Sequence, residues 1–404
     1  PEPAPARRAS LGPHAAPRLL CGDRFVPPSA PAHPGQHNGA RLPDTCFDGH
    51  SHHVFVVGDW GGVLQDNGQP APADSRSAHF GSKAREFVPG ADDCAQQRVA
   101  AEMAKRAAVS RPSYVINVGD NFYWAGINAR CGTSSYPGTD ETGQWADGFE
   151  RIYTGEGLDG KQWLGVLGNH DFGGRVFTAG WDRVIAYTWS SSRWVTPALF
   201  WAAKVHYVDV SVDYYFVDSN VWDAMDPDLN PEHNICSGSY NPPDASCGVH
   251  GPRSLSDCAS WFENLWTQQL AWLDRELSAS DADWQVVVTH FPPLGAWGAD
   301  QWARLAEEHG IDLFIAGHLH HQFVIGPHAD ANPLGATAII VSGGGGGITS
   351  EGVPDANGDD DEYGFMDLTL SQQHITIEAI SHGGRNRSTT RVRPRPRGRA
   401  DRYV

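Results

Sequence analysis

Five short segments carry side chains able to hold a metal ion, and they follow one another in fixed order through 404 residues. They are Gly58-Asp59-Trp60-Gly61-Gly62, Gly119-Asp120-Asn121-Phe122-Tyr123, Gly168-Asn169-His170-Asp171, Val286-Val287-Val288-Thr289-His290 and Gly317-His318-Leu319-His320. Asp59 and Asp120 are hard oxygen donors, and one carboxylate with two oxygens can bridge two cations. Asn169 is a neutral oxygen donor. His290, His318 and His320 are nitrogen donors suited to first-row metals. Tyr123 adds an anionic phenolate oxygen, which favours ferric iron over zinc or magnesium. These seven groups suffice for two metal ions, and His170 is left beside them. Such a set suits attack on a phosphate ester by a metal-bound hydroxide.

The segments need a scaffold that brings them together. Each follows a short apolar run read as a strand: His53–Val57, Tyr114–Val118, Trp163–Leu167, Gln285–Thr289 and Leu313–Ala316. Helices are expected over Gln96–Ser110 and Trp302–His309, and one or two helical stretches over Ser254–Ser278. Val205–Val217 reads as one or two antiparallel strands, and Ala336–Val341, Gly364–Leu370 and Ile375–Ile380 complete the sheets. The alternation predicts an α/β fold. In open α/β sheets, sites lie outside the carboxyl ends of the strands, so all five segments are expected on one edge. A glycine before a donor lets the backbone turn sharply and approach a metal.

These residues resemble the metallophosphoesterase superfamily and, within it, the purple acid phosphatases of the small tartrate-resistant type. The similarity runs over roughly residues 50–385. It implies a four-layer α/β/β/α sandwich with a dinuclear site at the carboxyl ends of the strands. It also implies that Asp59, Tyr123 and His320 hold Fe(III) with a bridging Asp120. Asn169, His290 and His318 would hold a second, divalent metal (iron, zinc or manganese) on the same bridge. The implied activity is hydrolysis of phosphate monoesters, an acid phosphatase reaction with a metal-bound hydroxide as nucleophile. His170 would contact the phosphate or protonate the leaving oxygen; its other reading is a prop for a carboxylate such as Asp171. Serine/threonine protein phosphatases of the superfamily carry Asp-Arg-Gly after the second motif, where this chain has Asn121-Phe122-Tyr123-Trp124. One departure stands out. The family usually has a second substrate-side histidine beyond the one at His290, and here none occurs before His309. Trp297 or Asp300 is expected to line the pocket instead, and the family's usual substrate range and acid optimum do not follow.

Two other readings fit the same residues. One is a phosphodiesterase or nucleotide phosphatase of this fold. The other is a phosphatase-like structural subunit of a larger assembly. Small phosphate esters, phosphoproteins or nucleotides are the expected substrates, and a protein partner could use the tails or inserts.

Composition narrows the setting. The formal net charge is −18, which argues against nucleic acid as a partner. It does not argue against an anionic substrate, because two bound cations would dominate the local field. Four lysines stand against 26 arginines. The 15 tryptophans and 16 phenylalanines can build a sizeable core. None of the seven cysteines forms a C-x-x-C pair, so disulfides are expected rather than a structural zinc site, with at least one thiol left over. With Asn386-Arg387-Ser388 as the single glycosylation sequon, they suggest a secreted, extracellular or vacuolar–lysosomal glycoprotein. A chain opening on Pro1 is expected to be processed or truncated, its signal peptide out of view. No run of 18 apolar residues suggests a transmembrane segment.

Residues 1–45 read as a Pro/Ala/Arg-rich tail or surface strap, 46–385 as the catalytic domain and 386–404 as an Arg-rich tail. Long inserts at Leu64–Cys94 and Cys236–Cys258 are candidates for specificity or partner contacts. Gly343–Gly347 could offer amides to an anion or serve as a flexible linker. Asp355–Glu362 reads as a solvated acidic loop, with calcium binding the alternative.

Overall fold

In a computed structural model, residues 21–47, 52–62 and 85–395 are described. Most of the expected 64–94 insert therefore lies outside the described residues, as do residues 1–20 and 396–404. Two sheets pack face to face, and helices cover their outer surfaces.

The strands, in chain order, are β1 (Ala40–Arg41), β2 (Thr45–Cys46), β3 (His53–Val57), β4 (Tyr114–Asn117), β5 (Trp163–Gly165), β6 (Trp194–Val195), β7 (Trp201–His206) and β8 (Ser211–Phe216). They continue as β9 (Trp284–Val288), β10 (Leu313–Ala316), β11 (Gln322–Ile325), β12 (Ala338–Ser342), β13 (Gly364–Leu370), β14 (Ile375–Ser381) and β15 (Asn386–Val392). One sheet runs β15-β14-β13-β3-β4-β5-β6 and the other β1-β7-β8-β9-β10-β12-β11, with β2 also on β7. β3, β4 and β5 are parallel neighbours in the first sheet, and β9 and β10 in the second. Val205–Val217 resolves into the antiparallel pair β7 and β8.

Alternation along each strand decides what faces what. Val54 and Val56 of β3 join Val286, Val288, Leu313 and Ile315 of the other sheet in the core between the sheets. Phe55 and Val57 point the opposite way and pack with Val99 and Met103. Those two lie on helix α1 (Ala95–Ser110). The short helices α2 (Asn169–Phe172) and α3 (Trp181–Ala186) follow β5. Helix α4 (Leu255–Ala279) and helix α5 (Ala299–His309) cover the second sheet, with Leu273, Leu277, Trp302 and Leu305 buried against Val287 and Phe314. Each such leucine contributes roughly 1.5–3 kcal/mol by leaving water. Helix α4 starts at Ser254, whose Oγ accepts the Asp257 amide at 3.2 Å, as an N-cap serine does. This is the expected four-layer sandwich.

Three pairs of cysteines form disulfides: Cys21–Cys46, Cys131–Cys247 and Cys236–Cys258. Cys94 is the free thiol. Cys258 lies inside helix α4 rather than in a loop.

Both ends differ from simple tails. Phe25 and Leu42 are buried, and β1 and β2 pair with β7, so residues 21–47 are a strap woven into the second sheet. The expected Arg-rich tail from residue 386 begins instead as strand β15, paired antiparallel with β14. Its alternation was hidden because this edge strand is exposed on most of its positions, so no apolar period marks it. The acidic run is also engaged. Asp355 Oδ1 accepts the Asn357 amide at 2.8 Å. Asp359 and Asp361 face Arg385 and Arg387 at 2.9 Å and 3.5 Å. No described helix is long and apolar enough to cross a membrane.

Candidate metal centre

All five segments emerge from carboxyl ends of parallel strands. Asp59 follows β3, Asp120 follows β4 and Asn169 opens α2 after β5. His290 follows β9, and His318 and His320 follow β10. One sheet therefore supplies the carboxylates, the amide and the phenol, and the other supplies the three imidazoles.

The seven groups converge. Tyr123 Oη lies 2.9 Å from Asp59 Oδ1, 2.7 Å from Asp120 Oδ2 and 3.2 Å from His320 Nε2. Asp120 Oδ2 is also 3.4 Å from His290 Nε2, and the same nitrogen is 3.1 Å from Asn169 Oδ1. Asp120 thus stands between a Tyr/Asp/His group and an Asn/His group, as a bridging carboxylate must. His318 enters through its amide, which donates to Asp59 Oδ2 at 3.1 Å. Its ring centroid is 5.2 Å from that of His290. Asp59, Asp120, Asn169 and His290 are wholly buried, and Tyr123, His170 and His320 nearly so.

The backbone is unusual at three of these positions. Asp59, Asp120 and His318 have φ of 58°, 50° and 67°, a left-handed conformation uncommon for residues with a Cβ. Such strain persists only where the surroundings over-determine it, and it clusters at functional sites. Gly119, with φ of 92°, makes the expected sharp turn before Asp120. Space is the constraint at Gly168, where an added Cβ would lie 2.1 Å from Asp120 Oδ1.

The structure also shows a support layer that sequence reading missed. Trp60 Nε1 donates to Asn117 Oδ1, Asn117 Nδ2 to Asn121 Oδ1 and Asn121 Nδ2 to Asp171 Oδ2, at 2.8, 2.5 and 2.8 Å. Asp171 Oδ2 also accepts the Gly168 amide at 2.8 Å. Asp171 therefore fixes the second and third segments against each other, and its partners are Asn121 and Gly168 rather than His170. Burial pushes its carboxyl up to about 8. His290 Nδ1 lies 2.8 Å from the Val118 carbonyl, to which it donates. This bond fixes Nδ1 as a donor and turns Nε2 toward Asn169 and Asp120. Against the cost of burial, the Asp120 carboxylate raises the imidazole to about 9, and a bound cation would take the place of its Nε2 proton.

Gly343–Gly347 is neither an anion cradle nor a linker. The amides of Gly343, Gly345 and Gly347 are donated to His321, Gly58 and Asp59 carbonyls. A Cβ at Gly347 would come within 2.7 Å of Tyr123 Cδ2, so the run is a close-packed wall behind the phenol. Trp297 stands against His318 with ring centroids 4.9 Å apart, as expected for a pocket residue. Asp300 is exposed in the first turn of α5.

These donors fit a pair of cations. A phenol has one proton and cannot donate to both Asp59 and Asp120 at once. Nδ1 of His318 is buried without a hydrogen-bond partner, an orphan that metal coordination would satisfy. Burial holds the Tyr123 phenol protonated well above its ordinary range, with the Asp120 and Asp59 charges adding to the effect. Burial and His290 keep His318 neutral. Neutral imidazole is the form that binds metals, and a bound cation reverses the phenol's preference by its own charge. His170 sits beside the cluster. Its amide donates to Asp120 Oδ1 at 2.8 Å, its Nδ1 lies 2.5 Å from the Trp124 carbonyl, and its ring is 4.5 Å from that of Tyr123. Burial lowers its basicity to about 4, against the opposing charge of Asp120.

Comparison with known proteins agrees with this geometry. Residues 52–322 match the calcineurin-like phosphoesterase family. Tartrate-resistant acid phosphatase type 5 of Homo sapiens is 24% identical over 362 residues, 85% of this chain and 91% of that protein. Purple acid phosphatase 7 of Arabidopsis thaliana is 31% identical over 239 residues, 57% of this chain and 60% of that protein. Among solved structures, GAP50, described as the anchor in the inner membrane complex of Plasmodium, superposes with a TM-score of 0.55 at 17% identity. That likeness covers 86% of this chain and 90% of GAP50, and it concerns the fold. A match over two thirds of the chain, the two-sheet sandwich and the placement of every segment at its rim make this protein a member of the calcineurin-like phosphoesterase family, the metal-dependent phosphoester hydrolases.

Proposed function

We propose that the chain is an acid phosphatase acting on phosphate monoesters at a dinuclear centre of Fe(III) and a second divalent metal, iron, zinc or manganese. The observation that carries this reading is the contact of Tyr123 Oη with Asp59, Asp120 and His320 at once. A phenolate joined to two carboxylates and an imidazole suits ferric iron. Asp120 would bridge to the second metal, which Asn169, His290 and His318 would hold. The metals would supply Lewis-acid activation of water and neutralise charge on the transferring phosphoryl group. The protein's own part is orientation. Asp171 and Asn121 lock the loops, Val118 sets the His290 tautomer, and the glycine wall holds Tyr123 in place. His170, anchored through Nδ1 to Trp124, presents Nε2 for the phosphate or the leaving oxygen. An anionic ester beside it would raise its basicity and let Nε2 deliver a proton.

A structural-subunit role would not need the complete donor set, which favours the enzyme. The three disulfides suit an oxidising compartment, in keeping with a secreted or vacuolar–lysosomal protein. Asn386, the sequon residue, is exposed at the start of β15.

Metal analysis with a visible absorption spectrum tests the centre. Metal-replete protein without a tyrosinate-to-iron band would remove the iron assignment. Hydrolysis of p-nitrophenyl phosphate but not its diester is expected, and the opposite preference would favour a phosphodiesterase. His170→Ala should leave metal content intact and lower turnover by about one to three orders of magnitude; full activity would end its role.

A further inference from the structure

The loop after β8 brings a second histidine to the cleft. The short turn Asn220–Asp223 places Asp223, which is buried. Asp223 Oδ1 lies 3.3 Å from His233 Nδ1. The His233 ring is 6.5 Å from that of His318, centroid to centroid, and its side chain keeps 39% of its surface exposed. His170 stands on the Tyr123 face of the cluster and His233 on the His318 face. Two imidazoles therefore flank the seven donors.

The placement of His233 is built, not incidental. The Ile235 amide donates to the Asp223 carbonyl at 2.8 Å. Asn234 Nδ2 donates to the Met225 carbonyl at 2.9 Å, and Asn234 Oδ1 accepts the Cys236 amide at 2.8 Å. Cys236 is bonded to Cys258 in α4. Asn241 Nδ2 donates to the carbonyls of Ile235 and Ser237, each at 2.9 Å, and to Arg175 in the loop after His170 at 3.2 Å. The turn is thus pinned on both sides of His233, and the ring is oriented from behind by a buried carboxylate. A surface histidine needs none of this. A side chain that must meet an anion at a fixed distance does.

We propose that His233 is a substrate-contacting residue that binds the phosphate of the ester from the His318 side, with Asp223 as its positioning residue. The inference rests on the phosphoester-hydrolase reading of the metal cleft, and it gives the insert around Cys236 a part in substrate binding.

The test uses metal-loaded full-length protein, p-nitrophenyl phosphate as substrate and inorganic phosphate as the binding probe. In His233→Ala, KM and the phosphate inhibition constant should rise together by about 10- to 100-fold, the range of one hydrogen bond to a charged group. Metal content and melting temperature should stay at wild-type values. Glutamine at 233 keeps an N–H donor and should recover part of the loss, whereas Asp223→Asn should give an intermediate rise. Unchanged KM and inhibition constant in His233→Ala would overturn the proposal, as would a loss explained by missing metal. Should the wild-type protein turn over no ester, the activity reading fails on its own. Stabilisation of the protein by inorganic phosphate against heating then decides the case for His233. A smaller gain in His233→Ala upholds the contact, and an equal gain refutes it.

Discussion

Replacing Tyr123 with phenylalanine removes one oxygen and little else, so its cost can be worked out for two states. Without metal, the phenol can donate its single proton to either Asp59 or Asp120. Losing one hydrogen bond to a charged group costs about 1.5–3 kcal/mol, and the ring still fills its space between Trp124 and His170, at 6.3 Å and 4.5 Å. Metal-free Tyr123→Phe should therefore fold with modestly reduced stability. With metal the loss is larger, because a ligand goes rather than a hydrogen bond. If affinity for the iron falls about 100-fold, the stabilisation gained on loading falls by about 2.7 kcal/mol. The assay is urea denaturation of wild type and variant, each with chelator and with saturating iron, read alongside the visible spectrum. The difference between loaded and stripped protein should shrink in the variant, and the absorption band should vanish. An equal gain on loading in both proteins, or a band that survives, would refute the placement of Tyr123 on iron.

Three further outcomes follow from the scaffold. In Gly168→Ala the new Cβ meets Asp120 Oδ1 at 2.1 Å and the Asp120 amide at 2.5 Å; overpacking should cost about 1–3 kcal/mol and lower metal content, and wild-type values for both would contradict the close approach. Asp92 is bound by both terminal nitrogens of Arg85, at 2.9 and 2.6 Å, and despite the opposing effect of burial its carboxyl titrates below the ordinary range. Its contribution to stability is present above the unfolded value of about 3.9 and is lost as pH falls through the lower folded value. Arg85→Met should raise that folded value toward the unfolded one, so the variant should be less stable than wild type at pH 7 and lose less of its urea midpoint on acidification below about pH 4; an equal acid loss in both would contradict the ion pair. Cys131 and Cys247 close a loop of 116 residues, so reducing or removing this bridge should cost roughly 2–5 kcal/mol, measured by denaturation with and without reductant.

The proposed metal-binding segments were legible because five of their donors, Asp59, Asp120, Asn169, His290 and His318, directly follow an apolar run that ends at a glycine or threonine, and a strand that stops abruptly leaves its next residue at the sheet rim. Helices α1 and α4 were legible from their period, within a few residues at the ends. Strand β15 was not, since six of its seven residues are polar or charged and it shows no apolar period. The glycine run misled for a related reason. Glycine signals freedom of the chain or lack of room, and only the neighbours of Gly345 and Gly347 reveal that room is what matters. Asp171 and Asn121 lie inside recognised segments, yet their role comes from a contact 50 residues apart in sequence, which no local pattern carries. His233 and Asp223 sit in a loop whose composition resembles any polar turn. Their place beside His318 depends on how the disulfide from Cys236 to Cys258 folds that loop back, a pairing that seven cysteines leave open.

The position of β3 has a consequence for synthesis of the chain. Asp59 lies two residues beyond β3, and β3 is wedged between β4 and β13, with Val56 opposite Met366. The first candidate donor to leave the ribosome is thus held by a strand that emerges far later in the chain. At about 5–20 residues per second, the interval is on the order of 15–60 s. Through that time Asp59 can lean on β4 alone, while the imidazoles of the second sheet emerge beside it. A nascent chain that captured metal early would do so with an unfinished cage, and one cut short before residue 364 would lose the strand that seats its first carboxylate. Assembly of the centre is accordingly a late event, timed by the emergence of β13 rather than by the arrival of the last candidate donor.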